Sequence, residues 1–231
     1  MNLSNIPLLC LVLVAILLNE LSSIAPASPY ATSLTNNAGT ISFILNESAD
    51  NVKIISNNCA ITNNLCALPK GTTSTKLGIA GIFKVVVTKS APAIYTQTSV
   101  DTNSLVTFNS PRGVTVNQNP ASPYFGRIYV ANSADGLTMG PGGRPVGDGI
   151  YLLNADQTDA VGRGNNASTG GIDFLSSSLD PYKISVGPDD NLYINNFSIS
   201  VATTWVVDAN VTSNSLVLAG IGENTNPTVH S

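Results

Sequence analysis

The chain has 231 residues and a formal net charge of −4, and only 10% of its residues are charged, against about a quarter in an ordinary globular domain. Asn, Ser, Thr and Gly take the place of the missing charges. This balance argues against a nucleic-acid partner, which calls for clustered Lys and Arg, while a hydrophobic content of 43% argues against long disorder.

The chain opens on an apolar stretch, Ile6 to Leu18, followed by Ser22, Ser23, Ala25 and Ala27. A short apolar core before small residues is the layout of a secretory signal peptide. Ala25-Pro26-Ala27 fits the small-x-small rule, which places cleavage after Ala27, with Ala25 as the alternative. Residues 1–27 form this leader. As a helix the stretch would rise only about 20 Å, short of a hydrocarbon core of roughly 30 Å. A retained transmembrane anchor is therefore not expected. Cys10 lies inside the apolar core and lacks the setting of a lipoprotein cysteine.

Residues 30–90 read as a small β-module. Thr40–Leu45 alternates, with Ile41, Phe43 and Leu45 on one face. A turn-rich Asn46–Asn51 follows, then a second alternating strand, Val52–Ser56. Lys70-Gly71-Thr72 and Leu77–Gly81 mark further turns. Ile82–Lys89 is β-branched and bounded by Gly81 and Pro92, the signature of a strand. Cys59 and Cys66 survive leader removal, and in an oxidising compartment a disulfide is the natural reading. A loop so short would be stapled by about 2–3 kcal/mol. Two free thiols are the alternative; a zinc site would need ligands beyond the single histidine, His230.

The order of these features resembles the immunoglobulin-like module of flagellar hook-cap proteins and of many secreted bacterial proteins. Ile41-Phe43-Leu45, Glu47-Ala49-Val52-Ile54, Leu68-Gly71 and Gly81-Phe83-Val85-Val87 fill that family's slots. The resemblance implies a spacer or sorting-adjacent module without catalysis. The Cys59–Cys66 loop departs from it, since the family places a Gly-containing hairpin there.

After a short linker, Ser90–Ala93, two stretches about seventy residues apart repeat one pattern. Pro111–Val116 leads to Arg127–Asn132, and Pro181–Val186 leads to Asn191–Asn196. Each unit closes on an aromatic strand, Gly149–Asn154 or Thr204–Asp208. Such repetition marks a radial or stacked β-architecture. These segments, with Leu218–Gly222, resemble NHL-type β-propeller repeats. The chain is also similar to secreted propeller proteins of environmental bacteria of verrucomicrobial type, a likeness that implies no particular activity. The expected fold is all-β: an Ig-like β-sandwich over residues 30–90, then partial β-propeller blades over 94–231. About two blades fit, where a propeller needs at least four. The expectation is a fragment of a longer protein or a ring closed by oligomerisation through open β-edges.

Loops inserted into the first unit, Asn117–Gly126 and the Gly- and Pro-rich Ser133–Asp148, are where binding often resides. Tyr124, Phe125, Arg144 and Tyr182 are the ligand-contact candidates. Calcium is the one cofactor considered: Asp189, Asp190 and Asn191, with Asp156 and Asp159, offer hard oxygen ligands. The same residues also read as reverse-turn formers. No Gly-x-Ser-x-Gly elbow and no internal His supports catalysis. The expected role is secreted, non-catalytic binding or scaffolding toward protein or carbohydrate, outside the cell, at its surface, or in a periplasm. The alternatives are a fragment of a polysaccharide-acting lyase or hydrolase, and a self-assembling extracellular β protein.

Overall fold

The computed structural model describes residues 29–56, 61–90, 99, 102–174, 179–196 and 203–219. The leader, Cys59 and residues 91–98 of the linker region lie outside them. The described chain is all-β: every named strand pair is antiparallel, and the helical content described is one 3-10 turn, Ser104–Val106.

The first six strands form two sheets over one core. Strands β1 (Ala31–Asn37), β2 (Thr40–Leu45) and β5 (Gly71–Lys76) form one sheet with β2 central. Strands β3 (Ala49–Ser56), β4 (Ile61–Leu68) and β6 (Phe83–Thr88) form the other with β3 central. The period-2 alternation of β2 sends Ile41, Phe43 and Leu45 inward, where they meet Ala49, Val52 and Ile54 of β3. Ile79 closes the cluster. The β1–β2 turn, Ala38-Gly39, lies so close to Gly78 that a Cβ on Gly39 would stand 2.8 Å from the Gly78 Cα. Leu77 and Gly78 N–H groups donate to the Gly39 carbonyl at 2.9 and 3.0 Å.

Three differences from the sequence reading appear here. Strand β3 begins at Ala49, so the turn after β2 is shorter than expected. Lys70-Gly71-Thr72 opens strand β5 where a turn was expected. Strands β1, β4 and β5 carry too little apolar alternation to be read alone; pairing with the central strands makes them strands.

The Pro-to-Tyr segments form two further sheets. Strands β7 (Pro111–Val116), β8 (Ile128–Asn132) and β11 (Gly149–Leu153) make the first, in order β7-β8-β11. Strands β12 (Pro181–Val186), β13 (Leu192–Asn196), β14 (Thr203–Val207) and β15 (Asn214–Ala219) make the second, in that order. The registers match. Val114 pairs with Val130 as Ile184 pairs with Ile194, and Thr115 with Tyr129 as Ser185 with Tyr193. Both first strands shift register just after the proline, between Pro111 and Gly113 and between Pro181 and Lys183. The doubled segments are thus two copies of one sheet unit.

The copies pack face to face. Tyr129, Ala131, Ile150 and Leu152 of the first sheet share one buried cluster with Leu192, Ile194, Trp205 and Val207 of the second. Close approach of the leading strands depends on Gly113, where a Cβ would meet the Tyr182 carbonyl oxygen at 2.8 Å and Ile184 Cγ2 at 3.0 Å. The other face of the first sheet is covered by its own insertion. The short hairpin β9 (Gly136–Leu137) and β10 (Pro145–Val146) brings Val146 against Val130 and Tyr151, joined by Phe108 and Ala167.

The other face of the second sheet is chemically different. The row Gly113, Ala131, Ile150 of the first copy is matched by register to Lys183, Asn195 and Thr204. Lys183 and Asn195 are exposed, and the Thr204 hydroxyl donates to Asn195 Oδ1 at 2.9 Å. A third copy cannot seat here as the second seats on the first, because a lysine stands in the slot where a Cβ already clashes.

The first unit meets the repeats through the Asn117–Gly126 insertion. Tyr30 and Phe125 rings lie 5.5 Å apart between centroids, and Lys70 Nζ donates to Gln157 Oε1 at 3.4 Å.

Candidate functional site

Several polar side chains bridge the seam between the two repeats. Arg127, at the start of β8, reaches across to the turn after β14, its Nη1 donating to the Ala209 carbonyl at 2.9 Å and to Asn210 Oδ1 at 2.7 Å. The Tyr129 hydroxyl donates to the same carbonyl at 3.0 Å. Burial pushes the Tyr129 phenol up to about 12, with nearby Arg127 pulling the other way, so it remains a donor at any physiological pH. At the far end of the leading strands, fully buried Asn117 ties the copies together. Its Nδ2 donates to Asp190 Oδ1 at 2.9 Å and to Ser122 Oγ at 3.2 Å, while its Oδ1 accepts from the Asn119 N–H at 3.0 Å.

These bonds fix the walls of an open cleft of about 380 Å³ between the copies. Thr115, Gln118 and Asn119 line it from the first, and Ser185, Val186 and Pro188 from the second. The first copy contributes a hydroxyl and carboxamides, the second contributes apolar side chains and backbone, and none of the lining residues is charged. Such a lining forms neutral hydrogen bonds and suits a ligand carrying hydroxyl or amide groups.

The sequence-derived candidates fall elsewhere. Phe125 packs on Tyr30, and Tyr124 lies beneath the Arg127 guanidinium, 4.5 Å from its ring centroid. Both are half-buried and join parts of the molecule to each other. Arg144 crosses the Tyr151 ring at 5.3 Å, and its Nη1 donates to the Gly164 and Asn165 carbonyls at 3.1 and 2.8 Å. Burial pulls its guanidinium below the usual value. Tyr182 stands between Arg112 and Lys183, 5.8 and 5.7 Å from its centroid. The structure does not bring these four together.

The calcium candidates are turn carboxylates occupied by neighbouring donors. Asp189 accepts from Asn191 Nδ2 at 2.8 Å and from the Asn191 N–H at 3.3 Å, which holds it below the usual carboxylate range. Asp190 sits at a left-handed turn position, φ 64°. Asp156 accepts from the Thr158 N–H and hydroxyl. Burial opposes ionisation of Asp159, yet backbone donors of Val161, Asn165, Gly164 and Gly162 hold it low. Among the described residues no group of three His, Cys, Asp or Glu side chains converges on a point. Cys66 is an exposed free thiol, and its expected partner Cys59 lies outside the described residues.

One shared element escaped the sequence reading. After its third strand each copy makes the same turn, Asn154-Ala155-Asp156-Gln157-Thr158 in one and Asp208-Ala209-Asn210-Val211-Thr212 in the other. Gln157 and Val211 both take positive φ, 69° and 52°. Their N–H groups return to the Asn154 and Asp208 carbonyls at 2.9 and 2.8 Å. The signal was in the sequence, as an acid- or amide-flanked alanine followed three residues later by threonine. This is the turn that Arg127 and Tyr129 grip in the second copy. Compared with models of known families and with curated proteins, the chain matches none.

Proposed function

We propose that the chain is an exported, non-catalytic binding or scaffolding protein whose paired sheet units, akin to NHL-type propeller blades behind an Ig-like module, present a rigid surface to carbohydrate or protein. The observation that carries this reading is the tandem itself. Two sheets of equal register lock through a shared core and through Asn117, Arg127 and Tyr129, leaving a preorganised, uncharged cleft at their seam. Preorganisation lowers the ordering cost of binding. The leader pattern of residues 1–27 supports export.

Two measurements test the proposal. Expressed in a secreting bacterial host, the chain should be recovered outside the cytoplasm with a mass that begins at Ser28; full-length protein in the cytosol would end the export reading. On glycan and peptide arrays, the exported protein should retain a neutral ligand, and bulky plugs at the exposed cleft positions, Gln118→Trp and Pro188→Trp, should abolish retention while leaving the circular dichroism spectrum of the folded protein unchanged. Binding that survives both plugs would move the site elsewhere.

A further inference from the structure

The first unit has four sheet edges, and three of them are guarded. Unpaired strand edges invite pairing with another chain, and proteins blunt them with bulges, lysines or prolines. Strand β1 shifts register between Thr32 and Thr35, where Ser33 takes φ 52°. Strand β5 ends in Lys76 and follows Lys70. Strand β6 carries Lys84 and runs into Lys89, itself paired with Glu47 at 2.6 Å.

Strand β4 has no such guard from Ile61 to Asn64. That run holds no charge, Pro or Gly, and among the described residues no strand pairs with its outer side. The bulge that interrupts β4 falls at Leu65 and Cys66: Leu65 has no partner on β3, Cys66 takes φ 61°, and Asn64 Oδ1 accepts from the Cys66 N–H at 3.1 Å. The core side of this edge is also unfinished. Ile61 lies opposite buried Ser56, on the core face, yet remains 49% exposed, and Leu65 and Leu68 are only partly covered. An added strand would extend both the hydrogen-bond ladder and this apolar row.

We propose that β4 is a self-association edge, pairing antiparallel with β4 of a second copy of this chain. The sequence of the edge is self-complementary about Asn63. Centred there, the two-fold axis sets Ile61 against the partner's Leu65 on the core face. It sets Thr62 against the partner's Asn64 on the outer face, and Asn63 against the partner's Asn63. Every cross-strand pair is then apolar–apolar or amide/hydroxyl, with no like charges facing, as an isologous dimer interface requires. A second copy fits better than an unrelated strand because this chain itself supplies the neutral strand that the edge requires, with Ile61 and Leu65 flanking Asn63 on the core face. This inference does not depend on the ligand cleft or on the repeats.

The test is sedimentation velocity on the purified full-length chain, in reductant so that thiol cross-links do not contribute. The wild type should show a reversible, concentration-dependent monomer–dimer equilibrium. Asn63→Lys and Asn63→Asp each place like charges across the axis and should each sediment as monomer, while an equimolar mixture should regain the dimer. That rescue separates a broken interface from a misfolded variant. A wild type that stays monomeric at every concentration overturns the proposal. So does a dimer that persists in both variants, or a mixture of two folded variants that fails to associate.

Discussion

Gly113→Ala isolates the contact that joins the two sheet copies. Gly113 has no left-handed backbone requirement, so an alanine is not strained by its φ. In an open strand the change would stabilise by about 0.5–1 kcal/mol, since glycine loses more chain entropy on folding. Here the new Cβ would stand 2.8 Å from the Tyr182 carbonyl oxygen, 3.0 Å from Ile184 Cγ2 and 3.2 Å from the Ile184 nitrogen. Two of those atoms are backbone, which cannot rotate away, so β7 and β12 must separate and open the cluster around Ile194 and Trp205. Overpacking of this kind costs about 1–3 kcal/mol. Set against the entropic gain, the net loss is about 1–2 kcal/mol, or a fall of roughly 2–8 °C in melting temperature for a chain of this size. The matched control is Lys183→Ala, at the equivalent position of the exposed second sheet, which should stay within about 0.5 kcal/mol. Paired thermal and urea denaturation curves decide the matter. If Gly113→Ala is neutral or stabilising, the face-to-face packing of the repeats is refuted.

Trp205 is buried with its indole Nε1 unpartnered among the described residues, so Trp205→Phe should cost less than about 1.5 kcal/mol while Trp205→Ala costs about 3–5; equal losses in urea titrations would show an unseen indole partner. Asp208 accepts at Oδ1 from the Thr212 and Ser213 N–H groups, both at 2.7 Å, and at Oδ2 from that of Asn210 at 3.0 Å. Burial works against its ionisation, but these donors hold it below the usual carboxylate range. A depressed folded value makes its stabilisation present above the unfolded value near 3.9 and lost as pH falls through the folded one. Asp208→Ala should therefore lower the melting temperature at pH 7, by about 1–2 kcal/mol of stability, and flatten the acid limb of a stability–pH curve. Asp148 behaves oppositely: burial, with Asp180 and Asp135 nearby, raises it, and its Oδ1 has no partner among the described residues. Folded protein then binds that proton more tightly than unfolded, so stability drops as pH rises from the unfolded toward the folded value. Asp148→Asn should raise the melting temperature at pH 7 and leave it unchanged near pH 3; a fall at pH 7 would contradict the assignment.

What the sequence made legible follows from where each strand gets its stability. Strands β2, β3 and β6 bury their own alternating Ile, Val and Phe, so their pattern is visible without the fold. Strands β1, β4 and β5, such as Gly-Thr-Thr-Ser-Thr-Lys, are edge strands held by a neighbour's ladder. Nothing in their own residues separates them from loops. The repeat was legible through Pro111 and Pro181, which mark strand entry, and through Tyr129 and Tyr193, which hold the same register position although only Tyr129 is buried in the shared core. The candidate site was less legible. Tyr124 and Phe125 read as exposed loop aromatics, yet the first unit supplies Tyr30, and β8 supplies Arg127, to cover them. Tyr30 is distant in sequence, and the contact with Arg127 depends on the local turn closed by the Arg127 N–H on the Tyr124 carbonyl at 3.0 Å. Asn117 carried no signal at all, since a buried amide that spans two repeats looks like any other loop asparagine.

The row that replaces Gly113, Ala131 and Ile150 with Lys183, Asn195 and Thr204 bears on how the tandem relates to a ring. In a closed propeller every sheet is covered on both faces, so every copy must keep the small and apolar row that receives the next one. In a stack of repeats the terminal unit instead turns a polar face to water. The second copy follows the stack rule on its outward face: a lysine at the point of closest approach, an amide and a hydroxyl bonded to each other, and serine at the position of Thr115. The first copy reaches the same end differently, covering its outer face with Val146 from its insertion and with Phe108 and Ala167 from the segments flanking the sheet, although Val114 stays 67% exposed at the margin. Both outer faces of the pair are thus adapted away from docking another copy. The shared apolar row survives only at the seam, where the cleft also lies. The seam is therefore the place where change in one copy must be answered by the other, and where loss of either sheet would remove the site entirely.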